Sequence, residues 1–262
     1  MERETVRRIW KKVRRVWIIL GLSVTIIFVG WSLIAFRASG DARDALEPDE
    51  HVGVQHDGGV WFFTPLREQV RRSVGLVFFP GALVSPVAYA PLARATARAG
   101  FPSYIVELPR RGAFGGAEDP ALWDKLHELL QEPTTPKRWA AAGHSRGGVV
   151  ASQVASKPPA GFAGLILIGT SHPRDVNLSN LTVPVTKIVG TRDGLASREE
   201  VEHNRRLLPA STRWIWIEGG NHSQFGWYGF QPGDSRARIP AATQRAQMTK
   251  GVIDALTAVA AQ

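Results

Sequence analysis

The chain has 262 residues, 44% of them apolar, which is enough for one sizeable core. Its net charge of +9 is concentrated at the front: residues 1–37 carry eight Lys/Arg against two Glu, so no basic face for nucleic acid is expected on the remainder. The absence of cysteine excludes disulfides, thiolate metal sites and a cysteine nucleophile.

Residues 17–36, WIILGLSVTIIFVGWSLIAF, contain no charge. As a helix rising about 1.5 Å per residue they would cross roughly 30 Å of hydrocarbon. A buried core helix would need a polar face, and this segment has none. Arg3, Arg7, Arg8, Lys11, Lys12, Arg14 and Arg15 precede it, and Arg37 and an acid-leaning stretch, DARDALEPDE, follow. That asymmetry places the N-terminus in the cytoplasm and the rest outside. A cleaved signal peptide competes, because ASG at 38–40 has small residues at a cleavage spacing; its apolar region would usually be about 7–15 residues, so a retained anchor is preferred. The organisation expected is a basic cytoplasmic tail (1–16), a transmembrane signal-anchor helix (17–36), a linker (37–47) and one domain (48–262).

In that domain, HVGVQHDGGVWFFTPL reads as a hairpin turning at Asp57, Gly58 and Gly59. VGLVFFPG is a continuous apolar strand, followed by a helical pattern over 87–99. FPSYIVELP is a strand and ALWDKLHELLQE a helix. WAAAG and GVVASQVAS are a strand and a helix on either side of a glycine cluster. GFAGLILIG, VPVTKIVGT and RWIWIEGG are three further strands, and residues 241–262 form a terminal helix. Continuous apolar strands alternating with helices predict an α/β fold, with a mostly parallel sheet covered on both faces. In such sheets ligands gather at the carboxyl ends of the strands.

Ser145 stands at such an end, in Gly143-His144-Ser145-Arg146-Gly147. This is G-x-S-x-G between a strand and a helix, where a sharp turn presents the hydroxyl and only glycine leaves room for the flanking backbone. A serine hydroxyl needs a base, and the base needs an orienting acid. Asp193 in KIVGTRDGLAS and His222 in IEGGNHSQFG both follow strands, at intervals of 48 and 29 residues. The order Ser, Asp, His is that of α/β-hydrolases. His172 with Asp175 is the rival pair. His144 reads as a packing or hydrogen-bonding residue, and His51, His56, His127 and His203 as surface residues. No histidine pair has a zinc spacing and no glycine-rich loop resembles a phosphate cradle, so neither metal nor nucleotide cofactor is expected. Arg146 either favours an anionic substrate or pairs with a nearby carboxylate, the second being preferred. Tyr89, Phe225 and Trp227, with Tyr228 and Phe230, are candidates to line an apolar acyl or alcohol pocket.

From about residue 48 onward, FFPGALVSPVAYAPLA, GHSRGG, GTRDG and GGNHSQFGWYGFQPGD resemble the α/β-hydrolase superfamily, closest to its small single-domain fold-5 type related to dienelactone hydrolases. The resemblance implies Ser145 as nucleophile, Asp193 as acid and His222 as base. It also implies an oxyanion hole from the backbone N–H of Arg146 and of Ala82 or Leu83. Dienelactone hydrolases use cysteine, so their own reaction is not carried over. Only about thirteen residues separate Gly169 from Val183, which leaves little room for a lid. The expected activity is hydrolysis of accessible esters, thioesters or lactones, with a small molecule as substrate and the membrane as partner through the N-terminal helix. A non-catalytic membrane-tethered ligand- or partner-binding module of the same fold is the alternative.

Overall fold

The computed structural model describes residues 2–67 and 71–262. Met1 of the expected tail and residues 68–70 of the expected domain lie outside them. The chain opens with helix α1, Glu2–Ala35. Within it Arg7–Ser32 is long and apolar enough to cross a membrane, and none of that stretch is buried against the rest of the protein.

The remainder is organised by one eight-stranded sheet. Its strands are β1 (Val52–Asp57), β2 (Val60–Pro65), β3 (Val74–Phe79), β4 (Ser103–Val106), β5 (Arg138–His144), β6 (Phe162–Ile168), β7 (Val185–Gly190) and β8 (Arg213–Ile217). They lie in the order β1-β2-β4-β3-β5-β6-β7-β8. The first two pairings, β1 with β2 and β2 with β4, are antiparallel and the other five are parallel. The hairpin closes where predicted: Asp57 pairs with Val60, and Gly58 and Gly59 both have positive φ, as a two-residue turn of this hand requires.

Alternation along the strands builds two apolar layers. Leu76 and Phe78 of β3 face α3 (Ala90–Arg98) and α7 (Ala241–Ala260), where Leu92, Val252 and Leu256 are buried. Val77 and Phe79 face the other way, onto α4 (Pro120–Gln131) and α5 (Arg146–Ser156), through Leu126, Val150 and Val154. Every residue of β3 is buried, as a central strand covered on both faces demands. A short helix, α6 (Arg198–His203), begins at a capping box in which Ser197 and Glu200 satisfy each other's free amides. Sequence periodicity over six residues is too brief to announce it.

The stretch expected as a linker is docked instead. Residues Gly40–Asp44 form helix α2, and Ala38, Ala42 and Ala45 are buried in the core with Phe36. Small residues allow this close approach, and three backbone hydrogen bonds fix it. Gly229 N–H donates to Ala35 O at 2.7 Å, Ser85 N–H to Phe36 O at 2.9 Å, and Ser39 N–H to Trp227 O at 2.8 Å. The end of α1 is thereby attached to the loops that follow β3 and β8.

Candidate active site

The strand order reverses direction around β3, and ligands of open α/β sheets collect at such a switch point, beyond the carboxyl ends of the strands. Ser145 sits there, between β5 and α5, with φ 53° and ψ −118°. A non-glycine residue rarely holds that conformation, and here close packing on both sides enforces it. A Cβ on Gly143 would collide with the Gly147 carbonyl, and one on Gly147 with the carbonyl of Phe79. The two glycines of the motif are therefore required by the approach of backbone to backbone.

Asp193 and His222 meet across the turns after β7 and β8. The His222 imidazole is 1% exposed, and its Nδ1 lies 3.0 and 2.9 Å from the two Asp193 carboxylate oxygens. Asp193 is held in turn: its Oδ1 accepts the amides of Leu195 at 2.9 Å and Ala196 at 2.7 Å. With Nδ1–H donated to Asp193, the lone pair falls on Nε2. That atom is buried and, among the described residues, has no hydrogen-bond partner, the Ser145 hydroxyl included. It borders the same cleft as Ser145, and catalytic contacts of this kind tighten when substrate arrives.

That cleft has a volume of about 260 Å³. Ala82 and Arg146 lie on its wall beside Ser145. Among the described residues, neither amide has a hydrogen-bond acceptor. The Leu83 amide is different, since it donates to the Arg111 carbonyl at 2.8 Å, so of the two alternatives after Gly81 only Ala82 is free to donate. The Arg146 side chain turns to Glu118 and forms an ion pair with it.

None of the five candidates to line the pocket borders this cleft. Tyr89 is fully buried behind the site: its hydroxyl accepts the Gly81 amide at 3.1 Å and lies 2.7 Å from His144 Nδ1. Burial pushes its phenol up, so it stays protonated and donates to His144. The same burial, reinforced by the neighbouring His222 ring, holds His144 well below its ordinary value and neutral. Phe225 is wholly buried against His144, with ring centroids 5.7 Å apart. Trp227 faces away and stacks under the Arg245 guanidinium at 4.8 Å. Nearness in sequence to His222 does not select a side of the loop, and the apolar rings turned toward the core. Tyr228 is buried with its hydroxyl on Gln231, and Phe230 is half-exposed, outside the cleft.

The cleft is walled instead by the segment after β6, Thr170 to His172, and by Arg174, Leu195 and Ala196. The strand-end rule pointed to this segment, but only His172 was singled out there. Burial, with Arg174 close by, lowers His172 to about 4 against the opposing pull of Asp175, so it is neutral at pH 7. No hydrogen bond joins it to Asp175 among the described residues, and it lacks the oriented partner that His222 has. Arg174 is itself paired with Glu200 at 2.9 Å.

One contributor escaped the sequence reading altogether. Asp234 accepts the amides of Gly194, His222 and Ser223 at 3.1, 3.2 and 2.8 Å, joining the loop of Asp193 to the loop of His222.

Residues 75–246 match the family model described as Alpha/beta hydrolase family. Among solved structures, the chain is similar to an alpha-beta serine hydrolase homologue from Coxiella burnetii, with a TM-score of 0.54 and 13% identity over 79% of this chain and 98% of that one. No curated protein matches it in sequence.

Proposed function

Because the chain belongs to the alpha/beta hydrolase family, we propose that it is a membrane-anchored serine hydrolase that cleaves carboxylic esters, or the related thioesters and lactones, through Ser145, Asp193 and His222. The observation that carries this reading is His222, buried, held at Nδ1 by Asp193, with an unpartnered Nε2 on the cleft that holds Ser145.

In this mechanism Ser145 Oγ attacks the carbonyl carbon while His222 Nε2 takes its proton, and Asp193 stabilises the imidazolium that results. The carbonyl electron pair moves to the oxygen, which the amides of Ala82 and Arg146 receive. Collapse expels the alcohol, which leaves with the proton from Nε2, and Ser145 stays acylated. Water then gives a proton to Nε2 and attacks the ester carbon, and the second tetrahedral intermediate releases the acid and restores the serine. The ordinary role of Arg146 is to pair with Glu118, so the cleft offers no free cation there to select an anionic substrate.

The helix Arg7–Ser32, unburied and with six Lys/Arg in its first nine residues ahead of the uncharged stretch, supports a retained single-pass anchor with the N-terminus cytoplasmic and the hydrolase outside. The catalytic reading is tested by a fluorophosphonate probe. Labelling of the wild type but not of Ser145→Ala is expected, with loss of p-nitrophenyl ester turnover by about 10⁶-fold. Folded wild-type protein that fails to label would point instead to a binding module.

A further inference from the structure

Two hollows adjoin each other where α1 meets the domain, and they are chemically opposite. The first is a groove of about 590 Å³ with one wall from α1 and the residue that follows it, Phe28, Val29 and Phe36, and the other from the domain, Leu83, Phe114 and Pro232. Phe114 is 88% exposed and Leu83 39%, and both have positive φ, as do Arg110 and Arg111 beside them. Two apolar side chains, one from the loop after β3 and one from the loop after β4, are thus left outside the core and border the groove. The second hollow, about 440 Å³, is lined by Arg37, Arg43 and Arg111 and by no carboxylate. Arg111 borders both.

The arginines of this second hollow are among those that no carboxylate neutralises, and three of them gather about one cavity. Arg94, Arg98, Arg110, Arg146, Arg174 and Arg213 are each paired with an Asp or Glu. Among the described residues Arg37, Arg43 and Arg111 form no ion pair, although each is exposed. Three unneutralised guanidinium groups about one hollow are a site for a multivalent oxyanion such as phosphate. The groove beside them has the complementary chemistry of an acyl chain, and its helical wall belongs to the segment read as spanning the bilayer.

We propose that one anionic phospholipid of the bilayer docks at this junction, its phosphate on Arg37, Arg43 and Arg111 and an acyl chain in the groove between α1 and the Leu83–Phe114 wall. The inference rests on the membrane reading of α1 given above. A soluble phosphate accounts for the arginines but leaves the groove without an occupant, whereas a lipid fills both. Leu83 directly follows Ala82, and Ser85 is bonded to Phe36, so a lipid held here would keep the loop that carries the oxyanion donor at the bilayer surface.

The test uses the full-length chain in phosphatidylcholine nanodiscs that contain a small fraction of photoreactive phosphatidylglycerol. Crosslinking to the 28–36 and 111–114 segments is expected in the wild type. It should fall roughly 25-fold in Arg37→Gln/Arg111→Gln and persist in Arg37→Lys/Arg111→Lys, since each basic residue near an anionic surface contributes about fivefold. Phe114→Ser should also lower it, and fluorophosphonate labelling of each variant reports that the domain is folded. Equal crosslinking by photoreactive phosphatidylcholine, an unchanged Gln variant, or displacement by inorganic phosphate would overturn the proposal while leaving the anchor in place. Release of the wild type from membranes by alkaline carbonate would overturn the anchor reading, and this inference with it.

Discussion

Asp234 accepts the main-chain amide of His222 at 3.2 Å through Oδ1, and the same oxygen accepts that of Gly194 at 3.1 Å. Its Oδ2 takes both the amide and the hydroxyl of Ser223, at 2.8 and 2.7 Å. One carboxylate therefore sets the distance between the residue after Asp193 and His222, the proposed base. It touches neither the reacting atoms nor the imidazole, and its part is to position. Replacement by Asn converts one acceptor oxygen to an NH₂ that faces N–H groups. Misplacement of a catalytic group by an ångström costs about 10²-fold, so Asp234→Asn is expected to lower kcat by up to about that factor with KM little changed. Equal losses in kcat and in the folded fraction, measured by circular dichroism, would reduce Asp234 to a structural role.

Asp193→Asn leaves a side chain of the same shape in a buried site that already supplies two backbone amides to Oδ1. The amide can satisfy Leu195 and Ala196 with its oxygen, and then presents N–H rather than an acceptor to His222. The imidazole must adopt the tautomer that puts its proton on Nε2, where the mechanism needs a lone pair. A fall in kcat of about 10⁴-fold is expected. Steady-state ester hydrolysis, with fluorophosphonate labelling slowed in parallel, measures it; a loss under tenfold would mean that another acid serves His222.

Tyr89→Phe probes the wall behind the oxyanion loop. The hydroxyl is the partner of both the Gly81 amide and His144 Nδ1, in a place that water does not reach. Its loss leaves two buried polar groups unsatisfied, at about 1–3 kcal/mol each before relaxation. Chemical denaturation should show a midpoint lowered without a change in slope. Because Gly81 precedes Ala82, the proposed oxyanion donor, kcat should fall further than KM rises.

The sheet, its helices and the positions of Ser145, Asp193 and His222 were legible because each depends on a local signal: an apolar run, a turn, and a polar residue at its end. Gly143 and Gly147 were legible for the same reason, since the strain at Ser145 is created within five residues. What could not be read was the direction a side chain takes within a loop. Tyr89, Phe225 and Trp227 all stand near the right turns, yet each points away from the cleft, because burial of an aromatic ring outweighs its proximity to a catalytic residue. Asp234 was invisible for a different reason. Its partners are Gly194 and His222, one of them 40 residues away, and an acceptor of backbone amides leaves no pattern in side-chain chemistry. The supposed linker at 37–47 failed similarly: alanines separated by polar residues look solvent-facing until Ala42 is seen packed in the core.

Lys187 supplies a prediction about pH. It lies on β7, 1% exposed, and its ammonium group donates to the carbonyl of His172, in the segment that walls the cleft. No carboxylate accompanies it among the described residues, and burial, with Arg174 adding to the effect, lowers it from 10.5 to about 7. Below pH 7 the folded and unfolded chains both carry the proton, and the buried charge weighs fully against folding. Between pH 7 and 10.5 the unfolded chain binds a proton that the folded chain does not, so stability rises with pH across this window. Lys187→Met removes the charge while keeping an unbranched chain of similar length, and gives up only the bond to the His172 carbonyl. It should therefore stabilise the protein by roughly a few kcal/mol near pH 6, with the gain shrinking toward pH 10. Melting temperatures of the two proteins across that range are the measurement. Converging curves are expected, and parallel ones would show that Lys187 does not titrate within the window.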